Sequence, residues 1–551
     1  MTSADDLLAG LDDQQRQAAE SLLGPVVLLA GAGTGKTRAI THRIAYGVAT
    51  GVYSPSRVMA LTFTNRAAGE LRQRLRGLGA GGVSARTFHA SALAQLGFFW
   101  PQVIGGTVPR ILDSKGRLLG HAADALKLKL DTATLRDTAT EIEWRKVSRL
   151  TIDQYASAGR PVPPALSIEK MVDLHRAYES VKDERRQMDF EDVLLATAGM
   201  IESEPRIAQQ VREQYRFFVV DEYQDVSPLQ QELLTLWLGE RNDVCVVGDA
   251  SQTIYTFAGA TPDYLLGFTG RHEDATVVRL EQNYRSTPAI IDAANRIMRG
   301  RAGALDLHAV PGTPTGVAPT VSEHANDSQE ARAIAQSIRA QIDAGAAPES
   351  IAVLFRINVQ SAALEAALAD AGVPFVIRGS TRFFDLKEVK EAIMMLKGAS
   401  ISIVNEPLFK SVSDVLRSRG WSQEPPEARG AVRDRWESLN ALMRLAEEAP
   451  AGTTLAAFVT ELLERQSGQH EPTMAAVTLA TLHSAKGLEW DSVYIVGASE
   501  GLLPISYART DLAVEEERRL FYVGITRARE RLHFSSAGPN RQPSRFLKDL
   551  R

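Results

Sequence analysis

Between residues 25 and 37 the chain reads Pro25-Val26-Val27-Leu28-Leu29-Ala30-Gly31-Ala32-Gly33-Thr34-Gly35-Lys36-Thr37. Residues 25–30 are apolar enough for a short buried strand, and residues 36–49 have the pattern of a helix. A glycine-rich turn between a strand and a helix points backbone N–H groups at phosphate oxygens, and the lysine that follows reaches the β- and γ-phosphates. The stretch therefore predicts an α/β fold with a loop that binds a nucleoside triphosphate.

Two acidic residues follow another apolar run, which spans residues 217–220. Ligands of open α/β sheets bind at the carboxyl ends of the strands. We therefore expect Asp221, with the hydroxyl of Thr37, to hold Mg²⁺, because this ion prefers oxygen ligands. Glu222 is placed to orient or deprotonate an attacking water, which favours hydrolysis. An acidic surface turn is the alternative for Glu222, and the phosphate loop alone leaves kinases, GTPases and transporters open.

The composition excludes several classes of protein. Of 551 residues, 44% are hydrophobic, and no apolar run reaches the roughly 20 residues needed to cross a bilayer. The start, Met1-Thr2-Ser3-Ala4-Asp5-Asp6, carries acid where a secretory signal carries lysine or arginine, so we expect a cytoplasmic protein without a membrane partner. The single cysteine, Cys245, excludes an internal disulfide and is expected to be an inert strand residue.

Short apolar runs alternate with helical stretches, as in parallel sheets covered on both faces. The runs are residues 26–30, 58–63, 217–220, 244–247, 351–355 and 493–496. They form two groups, and each group predicts one doubly wound unit. Two stretches without strand character predict helical insertions. The expected boundaries are 1–95 with 187–280 for the first unit, 96–186 for its insertion, 281–397 with 475–551 for the second unit, and 398–474 for its insertion.

Basic residues cluster locally although the formal net charge is −5. The clusters are Arg66-Arg72-Arg74-Arg76 and Arg518-Arg519-Arg527-Arg529-Arg531. Because phosphate neutralisation dominates binding to nucleic acid, such clusters allow a charged channel on an acidic body. Solvated helix faces explain each cluster equally well.

Three side chains beyond the first loop bear on phosphate chemistry. Gln252 follows the run at 244–247 and carries an amide able to sense a γ-phosphate. Arg285 and Arg527 lie in the second unit, which has no phosphate loop. A guanidinium from a neighbouring domain stabilises charge on a transferring phosphoryl group and is worth about 10³–10⁵ in rate, so catalysis would depend on domain closure. A surface salt bridge is the alternative for either arginine.

Several segments, taken in order, match the motifs of one enzyme family. They are Leu11-Asp12-Asp13-Gln14-Gln15, Leu61-Thr62-Phe63-Thr64-Asn65-Arg66-Ala67-Ala68, Thr87-Phe88-His89-Ala90, Met188-Asp189-Phe190-Glu191-Asp192, Gln282-Asn283-Tyr284-Arg285-Ser286-Thr287, Phe355-Arg356-Ile357-Asn358-Val359-Gln360-Ser361 and Thr481-Leu482-His483-Ser484-Ala485-Lys486-Gly487-Leu488-Glu489. With them the chain resembles the UvrD/PcrA/Rep type of superfamily 1 DNA helicase over nearly its whole length. The resemblance implies two RecA-like domains, each with a mainly helical insertion, and ATP with Mg²⁺ as cofactors.

The resemblance also implies roles for residues around the nucleotide. Gln15 would read adenine, and Tyr284 would stack on adenine opposite Arg38. Arg285 and Arg527 match the arginine fingers of the family, and Glu489 matches a contact to the ribose.

The residues implied in DNA contact come from both units. They are Phe63, Thr64, Asn65, Arg66, His89, Tyr255, Phe257, Arg356, Asn358 and His483. Stacking on an aromatic ring is worth about 1–3 kcal/mol per base, which favours Phe257 as a base contact. Core packing is the alternative for any one ring, and we assign Phe88 to the core. A metal role for His483 is disfavoured, because no second ligand stands at the usual spacing.

The chain departs from the family in three places, one of which is Trp490, where the family commonly has Phe. It has Phe257-Ala258 where the family usually has Trp-Arg, so one stacking surface is smaller and one cation is absent. The second insertion is shorter than in typical relatives, which puts the duplex contacts ascribed to it in question. In the last two features the chain resembles a smaller actinobacterial UvrD-like paralogue, without that paralogue's C-terminal HRDC region.

The resemblance implies an ATP-dependent 3′-to-5′ motor on single-stranded DNA that unwinds 3′-tailed duplex DNA and works with DNA-repair proteins. One alternative is a translocase that strips proteins from DNA and unwinds poorly alone. A second alternative is the motor half of a recombination nuclease. A third is a DNA-binding scaffold without catalysis, and the intact set of ATP-site residues disfavours this scaffold. RNA in place of DNA is disfavoured by the resemblance alone.

Overall fold

The computed structural model describes residues 3–130, 132–160, 162–163, 166–357, 360–378, 386–402, 406–424, 431–447, 449–468, 475–506, 508–538 and 542–550. These residues form two compact units. The first contains residues 1–283 and 300–306, and the second contains residues 284–299 and 307–551. No helix in the described ranges is both long and apolar enough to cross a membrane.

The strands of the first unit are mostly short apolar runs. They are β1 (Val26–Ala30), β2 (Val58–Thr62), β3 (Ser84–Thr87), β4 (Arg110–Ile111), β5 (Gln187–Met188), β6 (Phe217–Val220), β7 (Val244–Gly248), β8 (Thr276–Leu280) and β9 (Gln282–Asn283). Six of them form a parallel sheet in the order β3-β2-β6-β7-β1-β8. All six carboxyl ends therefore lie at one edge, where the sequence places the phosphate loop and Asp221.

Helices connect these strands and cover the sheet. They are α1 (Ala4–Leu8), α2 (Asp13–Glu20), α3 (Lys36–Ala49), α4 (Asn65–Gly77), α5 (Phe88–Val103), α6 (Lys115–Ala125), α7 (Thr132–Val147), α8 (Ile152–Ser157), α9 (Ile168–Glu184), α10 (Phe190–Ser203), α11 (Pro205–Gln214), α12 (Pro228–Leu238), α13 (Asp263–Leu266) and α14 (Phe268–Arg271). Helices α6 to α9 belong to a helical region with its own core, which includes Leu119, Ile142 and Tyr178.

Side chains of the first sheet alternate between two hydrophobic cores. Val27 and Val246 face one core with Trp237 of α12, whereas Leu28 and Cys245 face the other. Burial on both faces explains why these strands are apolar without a polar alternation. The prediction that Cys245 is an inert core residue is confirmed, because the thiol is buried and burial raises its pKa.

The second unit repeats this architecture. Its strands are β10 (His308–Ala309), β11 (Thr320–His324), β12 (Ile351–Phe355), β13 (Phe375–Arg378), β14 (Val477–Thr481), β15 (Trp490–Ile495) and β16 (Ala528–Ala537). Six of them form a parallel sheet in the order β11-β16-β15-β12-β14-β13. The predicted α/β class with two parallel sheets is confirmed. Strand β15 begins three residues before the predicted start at Val493.

The helices of the second unit also cover its sheet. They are α15 (Pro288–Met298), α16 (Asp327–Asp343), α17 (Ser361–Asp370), α18 (Lys387–Ser402), α19 (Leu408–Ser418), α20 (Ala431–Glu447), α21 (Leu455–Gly468), α22 (Asp511–Ile525) and α23 (Arg545–Asp549). Helices α18 to α21 pack around Trp421, Leu439 and Phe458 as a separate hydrophobic cluster. Each unit thus carries a mainly helical region beside its sheet, as the sequence predicts.

Candidate nucleotide and nucleic-acid sites

The phosphate loop lies between β1 and α3, at the carboxyl edge of the first sheet. Gly33 and Gly35 have left-handed backbones, with φ of 72° and 77°. Gly35 caps the N-terminus of α3 without a side-chain hydrogen bond. The left-handed backbone favours glycine there, and an added Cβ would lie 2.7 Å from Nε2 of Gln15 and displace that amide. The first N–H groups of α3 remain available to an anion.

Side chains from distant segments hold this loop in place. Nε2 of Gln15, which is buried, donates to the Thr34 carbonyl at 3.1 Å, and the Thr34 hydroxyl donates to the Gly31 carbonyl at 2.9 Å. Nδ2 of Asn283 donates to the Ala32 carbonyl at 2.7 Å. Asn283, which precedes Tyr284, carries no signal in the sequence that predicts this role. Nη2 of Arg38 donates to the Gly10 carbonyl at 2.5 Å.

The acidic pair after β6 approaches the phosphate loop. Nζ of Lys36 lies 3.8 Å from Oε1 of Glu222. Glu222 has a φ of 53°, a left-handed conformation that is uncommon outside glycine. Its backbone N–H donates to Oδ1 of Asp221 at 3.0 Å. The structure therefore brings together Lys36 and Glu222, which the sequence predicts to share one catalytic site.

Hydrogen bonds extend from Glu222 to the end of the neighbouring strand β7. Nε2 of Gln224 donates to Oε2 of Glu222 at 2.5 Å, and Oε1 of Gln224 accepts from the Asp249 backbone N–H at 3.1 Å. Nε2 of Gln252 then donates to Oδ2 of Asp249 at 2.8 Å. We call Lys36, Glu222, Gln224, Asp249 and Gln252 the polar relay. The sequence did not predict roles for Gln224 and Asp249. The only signal was the position of Gln224, an amide, within the acidic motif 221–225.

The residues predicted to hold Mg²⁺ are suited to that ion. Thr37 lies in the first turn of α3, and Asp221 lies directly after β6 at the same edge of the sheet. The close approach of Lys36 to Glu222 shows that these two segments converge. A hydroxyl and a carboxylate supply the hard oxygen donors that Mg²⁺ takes beside water and phosphate oxygens. Among the described residues there is no group of three or more His, Cys, Asp or Glu that could hold a metal.

Three predicted DNA contacts form a continuous aromatic surface, which we call the aromatic strip. Phe63 stacks on Tyr255 with ring centroids 5.4 Å apart, and Tyr255 meets Phe257 edge to face at 6.2 Å. Phe63 is 43% exposed and Phe257 is 49% exposed. Phe88 is buried in the core, so the prediction for that ring is confirmed. Large exposed rings that contact one another form a platform on which bases can stack.

A second aromatic pair lies at the start of α5 and α10. The ring of Phe190 meets the ring of His89 edge to face at 6.0 Å, and Phe190 is 53% exposed. Burial, with Lys115 nearby, lowers the pKa of His89 to about 4. His89 is therefore neutral at physiological pH and can contact DNA only through hydrogen bonds or packing. The sequence predicts no role for Phe190, although it lies within the motif at residues 188–192.

The remaining first-unit contacts predicted for DNA lie at the N-terminus of α4. The Thr64 hydroxyl accepts a hydrogen bond from the Ala67 N–H at 3.1 Å and caps the helix. Asn65 is exposed in the first turn. Nε of Arg66 pairs with Oε1 of Glu70 at 3.1 Å. Thr64 thus has a structural role, and the charge of Arg66 is partly balanced.

In the second unit, Glu489 binds two arginines. Oε2 of Glu489 lies 2.5 Å from Nη2 of Arg285, and Oε1 accepts from Nη2 of Arg529 at 2.5 Å. Burial opposes ionisation of Glu489, but the two arginines outweigh it and hold the pKa of this carboxyl below its ordinary value. Tyr284, beside Arg285, is largely exposed. Three residues predicted for the nucleotide therefore lie together in this unit.

Arg527 is held by its own unit and is 2% exposed. Its Nε donates to the Val523 carbonyl at 2.9 Å, and Nη1 donates to the Leu488 carbonyl at 3.2 Å. Arg285 donates to the carbonyl of the residue before Arg527, Thr526, at 3.1 Å. Both predicted arginine fingers thus lie at the junction between α22 and β16.

Two predicted DNA contacts of the second unit, Arg356 and His483, are partly buried. Arg356 binds Glu517, with Nη2 to Oε1 at 2.8 Å and Nε to Oε2 at 3.1 Å. Burial, with Arg356 and Lys486 nearby, lowers the pKa of His483 to about 4. Asn358 lies outside the described residues. Sequence reasoning missed Glu517, because one acid within the run 515–517 carries no distinguishing signal.

A buried cluster of charges fixes the start of α10. Nζ of Lys146 lies 2.6 Å from Oδ2 of Asp189 and 2.7 Å from Oδ1 of Asp192, and Nζ of Lys182 lies 2.5 Å from Oδ2 of Asp192. Asp189 and Asp192 also form a capping box on α10. We call these four residues the lysine–aspartate cluster. It joins α7 and α9 of the helical region to the helix that begins with Phe190.

Comparison with known proteins gives consistent matches. Residues 11–273 match the UvrD/REP helicase N-terminal domain, and residues 278–419 and 406–538 match the UvrD-like helicase C-terminal domain. The chain is 45% identical over 579 residues to ATP-dependent DNA helicase UvrD2 of Mycobacterium tuberculosis, with 100% of this chain and 82% of the relative covered. It is 31% identical to DNA helicase II of Escherichia coli, with 99% of this chain and 88% of the relative covered. It is 29% identical to ATP-dependent DNA helicase PcrA of Bacillus subtilis, with 97% of this chain and 84% of the relative covered.

Proposed function

The chain belongs to the UvrD/Rep helicase family, and from this premise we propose that it is an ATP-dependent DNA helicase moving 3′ to 5′ on single-stranded DNA. We expect 3′-tailed duplex DNA as its substrate and DNA-repair proteins as its partners. Cytoplasmic localisation belongs to the same proposal.

The polar relay is the observation that carries this proposal. It begins at Lys36 on the phosphate loop and ends at Gln252, three residues before Tyr255 of the aromatic strip. A change at the γ-phosphate that moves Lys36 or Glu222 would therefore reach the segment that carries the stacking rings. Such a connection is what a motor needs to convert hydrolysis into movement along a strand.

The proposed hydrolysis uses residues of the first unit in distinct roles. Lys36 and the backbone N–H groups of the loop hold the β- and γ-phosphates, and Glu222 orients the attacking water and takes its proton. Gln252 senses the γ-phosphate through its amide. Thr37 and Asp221 would hold Mg²⁺, which neutralises charge on the phosphate oxygens when it is bound.

The second unit supplies further residues in this proposal. Arg285 and Arg527 act as arginine fingers, Tyr284 stacks on the adenine, and Glu489 contacts the ribose. The hydrogen bonds of Arg285 and Glu489 support a shared site, because each fixes the orientation of the other. Arg356, Asn358 and His483 contact DNA, and for Arg356 this requires partial release from Glu517.

The aromatic strip and His89 hold the single strand in the first unit. Each stacked base contributes about 1–3 kcal/mol, and opening a duplex costs about 1.4 kcal/mol of stacking per step. Few stacking contacts are therefore enough to hold a strand while one base pair opens. Thr64, Asn65 and Arg66 are proposed to contact the backbone of the same strand.

A strand-displacement assay tests the proposal. With ATP, the native chain should release the labelled strand from a 3′-tailed duplex and leave a 5′-tailed duplex intact. Lys36→Ala is the matched control, and it should show neither displacement nor ATP turnover. ATP turnover without displaced product would instead identify a translocase that needs a partner to unwind, and displacement from the 5′ tail alone would reverse the proposed direction.

A further inference from the structure

Three exposed arginines lie together at one margin of the first sheet. Arg72 and Arg76 are one turn apart on α4, and Arg86 lies on β3, the terminal strand of the sheet. Nη1 of Arg72 donates to the Ala85 carbonyl at 2.7 Å, which brings α4 against the residue next to Arg86. We call Arg72, Arg76 and Arg86 the arginine patch.

Among the residues that the structure describes, no carboxylate pairs with the positive charges of the patch. Within the described residues, none of the three guanidinium groups lies within 4.0 Å of a carboxylate, whereas Arg66 on the same helix pairs with Glu70 at 3.1 Å. Partial burial, with Arg76 and Arg86 nearby, lowers the pKa of Arg72 below its ordinary value. Like charges four residues apart also destabilise a helix. Folding therefore does not explain why these charges are concentrated here.

A structural role accounts for only one of the three arginines. Terminal strands expose unpaired backbone groups, and Arg72 covers one such group at Ala85. Arg76 and Arg86 make no hydrogen bond or ion pair in the described part of the chain. Their exposed positive charge matches a partner with negative charge at regular intervals, such as a phosphate backbone.

The patch lies on elements that also carry, or lead directly to, proposed DNA contacts. Arg86 precedes His89 by three residues, so the chain allows at most about 11 Å between their Cα atoms. Helix α4 begins at Asn65, and at 1.5 Å per residue Arg72 and Arg76 lie roughly 10 Å and 16 Å further along its axis. Helix α4 therefore starts at a residue assigned to the single strand, and β3 ends two residues before His89, which is also assigned to it.

We propose that the arginine patch binds the phosphate backbone of single-stranded DNA beyond the aromatic strip. This inference rests on the proposed helicase function and adds a second stretch of contact to the same strand. Bases stack on the strip, whereas the patch contacts phosphates without regard to sequence. Single-strand binding sites combine these two kinds of surface, rings for bases and cations for the backbone.

Salt dependence of DNA binding tests the proposal. Affinity of the full chain would be measured against salt concentration for oligothymidylates of about 8 and about 20 nucleotides, which bracket common single-strand site sizes. Each lost phosphate contact lowers the slope of log K against log salt by about 0.7, so R72Q/R76Q/R86Q should lose about 2 from the slope on the longer strand. On the shorter strand, which the aromatic strip holds, the slope should stay close to the native value.

Two further variants separate charge from folding. R76Q/R86Q keeps the Arg72 hydrogen bond to Ala85 and should lose about 1.4 from the slope, and R72K/R76K/R86K keeps the charge and should retain the native slope. R206Q/R271Q/R332Q removes the same charge from exposed arginines elsewhere and should also match the native chain.

A native slope in both glutamine variants of the patch would overturn the proposal and would leave an acidic protein as the partner to seek. An equal loss of slope in R72K/R76K/R86K would overturn the proposal too, because the effect would then be structural. An equal loss in R206Q/R271Q/R332Q would overturn it because the effect would then depend on total charge. If the native chain itself fails to bind single-stranded DNA, the proposed function fails. If the native chain binds single-stranded DNA and the patch variants keep its salt slope, only the proposed role of the arginine patch fails.

Discussion

Glu222 has a left-handed backbone although it is not glycine, with φ of 53° and ψ of 40°. Such conformations cost about 1–3 kcal/mol and persist where neighbouring contacts fix them, often at functional sites. Here Lys36 and Gln224 hold the two carboxylate oxygens, and Asp221 binds the backbone N–H. The strained backbone thus points the carboxylate toward the phosphate loop, as its proposed role as general base requires.

Glu222→Gln should abolish the proposed base while keeping the side-chain shape. Because general base catalysis contributes about 10²–10⁴ in rate, kcat for ATP should fall by that factor, whereas affinity for ATP should stay near native. Steady-state ATP turnover and nucleotide titration measure the two effects. Glu273→Gln, at an exposed position, is the control and should behave like the native chain. Native turnover in Glu222→Gln would remove this residue from the mechanism.

Exposed rings should carry much of the affinity for single-stranded DNA. Phe257→Ala and Phe190→Ala should each weaken binding by about 1–3 kcal/mol, or roughly 5- to 150-fold, because each removes one stacking surface. Fluorescence anisotropy with a labelled oligonucleotide measures the change. Phe98→Ala removes another exposed ring, which stands against Phe99 on α5, and should leave affinity unchanged. Equal losses in all three variants would show that ring exposure alone does not identify the site.

At the level of elements, the lysine–aspartate cluster connects the helical region to α10. Lys146 and Asp189 are 3% and 1% exposed, and burying such a pair costs desolvation that only good geometry offsets. Attraction to the two lysines outweighs burial and lowers the pKa of Asp189. The cluster therefore fixes where α10, and with it Phe190, begins relative to α7 and α9.

Lys146→Met should be strongly destabilising, because it leaves the carboxylates of α10 buried with less compensation. Removal of one partner from a buried pair costs about 3–5 kcal/mol. Chemical unfolding of the native and variant chains measures the difference in free energy. Lys170→Met on the exposed face of α9 is the matched control and should change stability by less than about 0.5 kcal/mol. A small effect at Lys146 would contradict the argument that the cluster fixes α10.

Glu191 should make stability depend on pH near neutrality. Burial, together with Asp189, outweighs the attraction of Lys115 and raises the pKa of Glu191 to about 7. The folded state then holds a proton that the unfolded state has released, so the free energy of unfolding should fall as pH rises from about 4.3 to 7.

Glu191→Gln should remove this part of the pH dependence, since an amide does not titrate. Unfolding of both chains at several pH values between 4 and 8 measures the difference between their curves. Parallel curves would show that Glu191 is ionised in the folded state throughout, as its 2.6 Å contact with Lys115 would favour.

Central strands were predictable from the sequence, and terminal strands were not. Strands β1, β6 and β12 match the expected bounds, because they are buried on both faces and so read as apolar runs. The terminal strands β3 and β11, Ser-Ala-Arg-Thr and Thr-Val-Ser-Glu-His, lack such runs because their side chains are partly exposed. Their pairing depends on the rest of the sheet, which local patterns do not report.

The candidate site divides in the same way. The loop from Gly31 to Thr37 and the acids after β6 follow from local motifs with known chemistry. The bonds from Gln224 to Asp249 and from Lys146 to Asp189 join residues 25 and 43 positions apart, and only the folded chain pairs them. Phe190 lies within a recognisable motif, but only the structure shows that it is exposed beside His89.

For the whole molecule, we propose that ATP hydrolysis is coupled to DNA binding. A phosphate loop and an exposed aromatic strip lie on the same sheet, and the polar relay joins them through hydrogen bonds of 2.5–3.1 Å and one ion pair of 3.8 Å. The second unit carries Arg285, Arg527 and Glu489, which we propose contact the nucleotide. The second insertion, which the sequence predicts to be short, and the Phe257-Ala258 pair are expected to affect duplex handling more than ATP turnover.

ATP turnover by the native chain with and without saturating single-stranded DNA tests this coupling most directly. The account predicts a turnover rate at least about tenfold higher with DNA, because a strand on the aromatic strip acts through the relay on Glu222 and Lys36 and lowers the barrier by about 1.4 kcal/mol or more. Equal rates with and without DNA, under conditions where the oligonucleotide is shown to be bound, would contradict it.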